Sequence, residues 1–402
     1  PFYRRLKVTT IYEYLEKRFS PGLRVYGSLT FMIFQLGKMG VFLLLPALAL
    51  SEVTGFNVHL CIGIMGLICI VYTVLGGIEA VIWTDVLQSL VLVGGGILCI
   101  GVILGAEHFD MGYIMSVAAP EEANKFYIGD PATFKFWHLL FGACCIQLVA
   151  FTSDQAVAQR FLTTPDQKSA ARSVWAHAGM VVPASLLFFG LGTALFVFYE
   201  ARPEALPTSD QNDIIVPWFI ATQLPAGIAG LVIAGLFAAT MSSVDSGMHS
   251  IATTLVNDVY SKVRPGSSDA QRLAVARKIM VVVGITAILA AIFVVSLNPG
   301  SLWIFILRVV ALFGSTLSGV FLLGVLTKKA NANGTVVGIA ASLITLLVIW
   351  NTMAKPFPTI LATAGVLTCF GVGYVASLFF AGDRRLLDNL TLHTLKDGGK
   401  KT

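Results

Sequence analysis

Charge is what this chain has least of. Asp, Glu, Lys and Arg together make up 12% of its 402 residues, about half their share in an average soluble protein. So few charges cannot cover a water-facing surface, which excludes the two or three soluble domains that a chain of this length otherwise suggests. The net charge of +5 is too small to argue for a nucleic-acid partner. Cysteine is scarce and ill-placed for cross-linking: Cys61, Cys69, Cys99, Cys144, Cys145 and Cys369 all sit in apolar runs. They read as small packed side chains, not a disulfide framework or a metal cluster. The sequence has no phosphate-binding Gly-x-x-x-x-Gly-Lys loop, no His-Glu-x-x-His and no nucleophile elbow, so an enzyme is not expected. It also has no initiator Met and no signal peptide. A start at Pro1-Phe2-Tyr3-Arg4-Arg5 reads as a fragment of a longer chain.

What is abundant is apolar. Hydrophobic residues reach 56%, with 27 Phe. A helix needs roughly 20 apolar residues to cross about 30 Å of hydrocarbon. Ten runs qualify, at 25–50, 57–76, 79–104, 136–158, 174–199, 226–252, 275–297, 301–326, 334–350 and 358–381. Asp213 to Leu224 is apolar but too short to span, and reads as a helix at the membrane surface. Such long unbroken runs exclude a β-barrel, which needs short alternating strands. The expected class is an all-α integral membrane protein.

Basic residues test this count through the excess of Lys and Arg in cytoplasmic connections. Residues 1–24 carry six: Arg4, Arg5, Lys7, Lys17, Arg18 and Arg24. The turn at Gly76-Gly77 carries none. Segments 160–172, 262–278 and 328–329 and the tail from 384 onward add three, five, two and five. One side therefore holds 21 of the 27, and the other only Lys125, Lys135, Arg202 and Lys355. The first segment and the tail are expected to be cytoplasmic. Lys38 and Arg308 fall inside spans.

An ionisable group within a span marks a functional site by default. The candidates are Lys38, Asp85, Asp154, Asp245 and Arg308. Their plainer reading is mutual pairing, or a reach to interfacial water. Asp85 sits only a turn or two into its run, which strengthens that reading for it. In Ala239-Thr240-Met241-Ser242-Ser243-Val244-Asp245-Ser246, residues 239, 242, 243 and 246 share one helix face. Hydroxyls, a carbonyl and a nearby carboxylate make a donor set for a hard cation. Small residues that let helices pack closely explain any one of these serines, but explain the embedded Asp245 poorly.

Gln147-Leu148-Val149-Ala150-Phe151-Thr152-Ser153-Asp154-Gln155 interrupts the fourth run. It reads as a broken helix lining a cavity, as the cap of a new helix, or as both. Lys38 is flanked by Gly37 and Gly40, which permit close approach of a backbone or a ligand. Its ammonium can hold an anionic solute or pair with an internal carboxylate. Arg308 carries the same two readings, with the ion pair the plainer one.

These residues resemble a known family. Tyr72-Thr73-Val74-Leu75-Gly76-Gly77 followed by Ala80-Val81-Ile82-Trp83-Thr84-Asp85-Val86-Leu87-Gln88 is similar to a hallmark of the solute:sodium symporters. That group includes sodium-coupled glucose, proline and sialic-acid transporters. Asp154-Gln155 with Gln159-Arg160 resembles a second signature; Gly230-Leu231, Ala234, Ala238-Ala239 and Met241-Ser242-Ser243 resemble a third. Thr10 to Phe19 resembles the loop after the family's second core helix.

The resemblance implies a LeuT-type inverted-repeat bundle within a single polytopic transporter domain, 1–402. Residues 1–104 would be the remainder of the first repeat and 136–326 the second. Residues 334–381 would be peripheral helices and 382–402 a cytoplasmic tail. The leading peripheral helix and the first two core helices would be missing. It also implies symport of a small organic solute with one or two sodium ions, by alternating access in the plasma or inner membrane, with no protein partner evident. One sodium site would use the Ala239 carbonyl with Ser242 and Ser243. A second would use Asp85, Ser242, Asp245 and Ser246. Lys38, Gln147, Phe151 and Arg308 would face the solute, and Asp154 and Gln155 form a gating signature. Phe34 to Gly40 is most similar to the sialic-acid branch, where a basic residue meets the solute carboxylate; this favours an anionic solute. A neutral-sugar or amino-acid symporter, and a solute sensor or channel, are the alternatives.

Overall fold

In lipid, a backbone segment must satisfy its own polar groups, and a helix does so within one segment. The computed structural model describes residues 2–6, 8–105, 111–118, 134–207, 212–380 and 390–394, and every regular element among them is helical. In chain order they are α1 Phe2–Arg5, α2 Tyr12–Arg18, α3 Pro21–Thr54, α4 Val58–Gly105, α5 Met111–Ala118, α6 Phe134–Thr152, α7 Gln155–Leu162 and α8 Gln167–Ala201. Then follow α9 Ile215–Gln223, α10 Ala226–Leu255, α11 Ser261–Val263, α12 Asp269–Leu297, α13 Leu302–Val309, α14 Ser315–Leu326, α15 Ala332–Thr352 and α16 Pro358–Phe379. Among the described residues nine segments are long and apolar enough to cross a membrane; the bent pair α6 and α7 makes ten. Lys125 and the basic tail residues Arg384, Arg385, Lys396, Lys400 and Lys401 lie outside the described residues, as do Pro1 and Lys7.

The predicted turn at Gly76-Gly77 takes the form of a bend in helical backbone. Helical backbone continues through it from Val58 to Gly105. The path is nonetheless sharply bent, because the Tyr72 hydroxyl meets Thr84 Oγ1. On a straight helix residues twelve apart stand about 18 Å from one another, beyond the reach of those side chains. Two membrane-length segments, Val58–Gly76 and Trp83–Gly105, lie on either side. Several helices also exceed the apolar runs that announced them, since polar first turns continue into water. Asp166 begins α8 by accepting from the Ser169 amide at 2.7 Å, and a Ser268–Gln271 capping box begins α12. The surface helix expected at Asp213 to Leu224 is α9, and Asp213 Oδ2 accepts from the Leu302 amide at 2.8 Å at the start of α13.

The main core gathers α2, α3, the first part of α4, α10, α12 and α14 around Tyr12, Phe31, Phe34, Met39, Met248, Leu317 and Phe321. A second core joins the end of α4 to α5, α8, α9 and the start of α10. A third joins α6, α14, α15 and α16. Large apolar side chains such as Leu90, Trp175, Phe189, Val282 and Ile344 point outward, where hydrocarbon is the natural solvent. All six cysteines are free thiols, and Cys144 is the exposed one.

Candidate functional site

The site grows from the break between α6 and α7. The two helices meet at 54° across Ser153-Asp154. Backbone groups freed by a break need partners, and named bonds supply several of them. Tyr3 donates to the Thr152 carbonyl at 2.8 Å and Tyr12 to the Ser153 carbonyl at 2.9 Å. Burial pushes both phenols well up from their ordinary range. Gln155 Oε1 accepts from the Ile11 amide at 2.9 Å, and the Thr152 hydroxyl reaches Ser318 at 2.9 Å. Asp154 caps α7 by accepting from the Ala156 amide at 2.9 Å. The break and the cap are therefore both present.

Asp154 has a second task. Its Oδ2 accepts from Lys38 Nζ at 2.8 Å, with side-chain exposures of 3% and 18%. Lys38 thus takes the internal-carboxylate alternative. The glycines beside it are close-approach positions. A methyl group on Gly37 would stand 2.9 Å from Val309 Cγ1, and one on Gly40 3.0 Å from the Ala290 carbonyl carbon. They bring the Lys38 turn of α3 against both α12 and the end of α13.

Arg308, one residue from that contact, forms no salt bridge among the described residues. It is only half-buried and its Nε donates to the Pro356 carbonyl at 3.2 Å. Gln147 is exposed, and Phe151 packs edge-on against His177 at 5.8 Å. Among the described residues no hydrogen bond, ion pair or ring contact joins Lys38, Gln147, Phe151 and Arg308 to one another.

On α10 the stripe forms as its spacing predicts. The Ser243 hydroxyl donates to the Ala239 carbonyl at 3.3 Å, and Ser242 and Ser243 are half-buried. Asp245 is fully buried; its Oδ1 meets the Thr73 hydroxyl, while Oδ2 has no hydrogen-bond partner. Asp85 is not left to interfacial water. Its Oδ2 pairs with Arg160 at 2.7 Å, and the same Arg160 nitrogen donates to Ser246 at 2.8 Å. Asp85 Oδ1 is buried and unpartnered. The bend in α4 accompanies this arrangement: Thr73 meets Asp245 directly, and Asp85 is joined to the next residue, Ser246, through Arg160.

Sequence reasoning missed two members, Thr73 and Arg160. Both stand inside the quoted motifs. Arg160 is the basic residue in the last turn of α7, and only the 54° break aims that helix at Asp85.

Comparison with known proteins follows this geometry. The profile of the sodium:solute symporter family matches residues 1–342. The sodium/sialic acid symporter NanT of Aliivibrio fischeri is 33% identical over 385 residues, which covers 94% of this chain and 76% of the relative. The sodium/sialic acid symporter SiaT of Proteus mirabilis is 38% identical over 356 residues, covering 86% and 71%. A solved substrate-bound, outward-open sodium-coupled sialic acid symporter superposes with a TM-score of 0.86 at 34% identity, covering 96% of this chain and 80% of that one.

Proposed function

This chain belongs to the sodium:solute symporter family, and from that premise we propose that it moves a small organic anion, with sialic acid the leading candidate, together with sodium. It is a multi-pass membrane transporter and not an enzyme. The observation that carries the sodium reading is a pair of carboxylates with unsatisfied oxygens. Arg160 joins Asp85 to Ser246, the residue after Asp245; among the described residues it is the one cation bonded to either carboxylate, and each keeps a buried oxygen without a hydrogen-bond partner. Buried polar atoms left without partners are costly, and oxygen donors of this kind suit a hard cation. One sodium ion satisfies them, with Asp85, Ser242, Asp245 and Ser246 as its ligands. The Ala239 carbonyl, Ser242 and Ser243 supply part of a second seat. Sodium and solute then raise one another's affinity by the same factor.

For the solute, Lys38 is the anion-binding group, and Gln147, Phe151 and Arg308 line its path. The branch whose relatives carry sialic acid in their names supports an anion. The Lys38–Asp154 pair supports the second reading, a neutral sugar or amino acid, since the pair is already neutral. Residues 1–104 and 136–326 act as the two repeats, with 334–381 peripheral. The first segment and the tail from 382 onward face the cytoplasm, as the basic residues argue, in the plasma or inner membrane. The protein works without an obligatory protein partner.

Uptake into proteoliposomes tests the proposal. Labelled N-acetylneuraminate should accumulate only with an inward sodium gradient, and should outcompete glucose and proline. Accumulation indifferent to sodium would overturn the coupling. Accumulation of glucose or proline in preference would favour the neutral solute.

A further inference from the structure

Lys38 and Asp154 raise a question that an anion-binding lysine does not answer by itself: what must happen to the carboxylate already there? We propose that Asp154 is the internal competitor for Lys38, so that a solute carboxylate takes over the ammonium and thereby unfastens the α6–α7 break from α3. This rests on the reading that Lys38 receives the solute.

The two oxygens of Asp154 have separate jobs. Oδ1 caps α7 through the Ala156 amide, and Oδ2 holds Lys38. Loss of Lys38 therefore leaves the cap in place. From the other side the break is held by neutral hydrogen bonds, from Tyr3, Tyr12 and Ile11. The bond to α3 is the charged one, and charged hydrogen bonds are roughly twice as strong as neutral ones. It is also the one an anion can replace in kind. Lys38 has the means to make the exchange. Its ammonium has three donors, its side chain is six times as exposed as that of Asp154, and the Phe34 ring lies 5.7 Å from its nitrogen. A neutral sugar or an ester offers no charged acceptor to trade for Asp154. Asp154 thus sets a threshold that an incoming anion must overcome, and couples its arrival to the hinge.

The test is binding to the purified full-length protein at saturating sodium, with N-acetylneuraminate and its uncharged methyl ester as probes. Asp154→Asn keeps a competent helix cap and removes the competitor. It should bind the acid at least about fivefold tighter, the lower end of ordinary coupling between linked groups, with the ester unchanged. Lys38→Met should lose the preference for acid over ester. If Asp154→Asn binds the acid no tighter while Lys38→Met loses that preference, the competition is wrong and the Lys38 reading stands. If Lys38→Met keeps the preference, the Lys38 reading itself falls. Should Asp154→Asn fail to fold, hydrogen exchange on the wild type decides. Amides of 155–162 should exchange faster with acid bound than with ester bound, and equal exchange overturns the proposal.

Discussion

Lys38 Nζ and Asp154 Oδ2 stand 2.8 Å apart across 116 positions of sequence, one in the middle of α3 and the other at the break between α6 and α7. Neither is stable alone in hydrocarbon-enclosed protein. Removal of one partner from a buried pair costs about 3–5 kcal/mol. The pair therefore ties the backbone break to the helix that carries the candidate solute group. A guanidinium–carboxylate pair, Arg160 with Asp85, ties the far end of α7 to α4 and to Ser246. The short helix α7 is thus pinned by charge at both ends, toward the two regions assigned to solute and to sodium.

Asp85→Asn should raise the sodium concentration needed for half-maximal uptake by about tenfold, the scale on which metal sites respond to lost partners. Its melting temperature in detergent should fall much less than that of a core variant. An unchanged sodium activation curve would remove this carboxylate from the mechanism.

Tyr12→Phe should lower unfolding free energy by about 1–3 kcal/mol, because it strands the buried Ser153 carbonyl. Thermal unfolding in detergent reads this directly. A melting temperature equal to wild type would mean that another donor serves the break.

Gly40→Val should destabilise by about 1–3 kcal/mol through overpacking, since its Cβ would meet backbone atoms of Ala290 and Ala291 at 3.0 and 3.1 Å. Gly63→Ala meets nothing within 4 Å and should be neutral or mildly stabilising. Equal melting temperatures for the two variants would contradict this packing of α3 on α12.

Glu16, outside the spans, has its carboxyl held below the ordinary value by Lys262, assisted by Arg24 against a smaller opposing effect of burial. A depressed folded-state value means that its contribution is complete above the ordinary 4.5 and disappears as pH falls through the lowered one. Glu16→Gln should therefore lose about 0.5–1 kcal/mol at neutral pH, the size of an exposed pair, and nothing once the wild-type carboxyl is protonated. Melting curves across acid pH that stay parallel for the two proteins would exclude this linkage.

Much was legible in the residues themselves. Apolar runs announced the membrane-length segments, because hydrocarbon imposes one length and one composition on any helix that crosses it. The stripe from Ala239 to Ser246 followed from helical spacing alone, and Thr152, Ser153 and Asp154 announced a break. The course of α4 did not. Gly76 and Gly77 suggested a turn between two helices, yet the backbone stays helical and bends.

What the sequence determined by itself, then, is local: which segments enter the membrane, where one of them breaks, and which polar groups are stranded within it. These follow from periodicity and solvent preference over a dozen or two neighbouring residues. The partners of those stranded groups were decided only in three dimensions. Asp154 meets Lys38 from 116 positions away, Asp85 meets Arg160 from 75 residues away, and Arg308 donates to the Pro356 carbonyl. No local rule selects among such pairings. A buried charge settles on whichever opposite group the packing of distant helices brings within reach, and that packing is a property of the whole bundle.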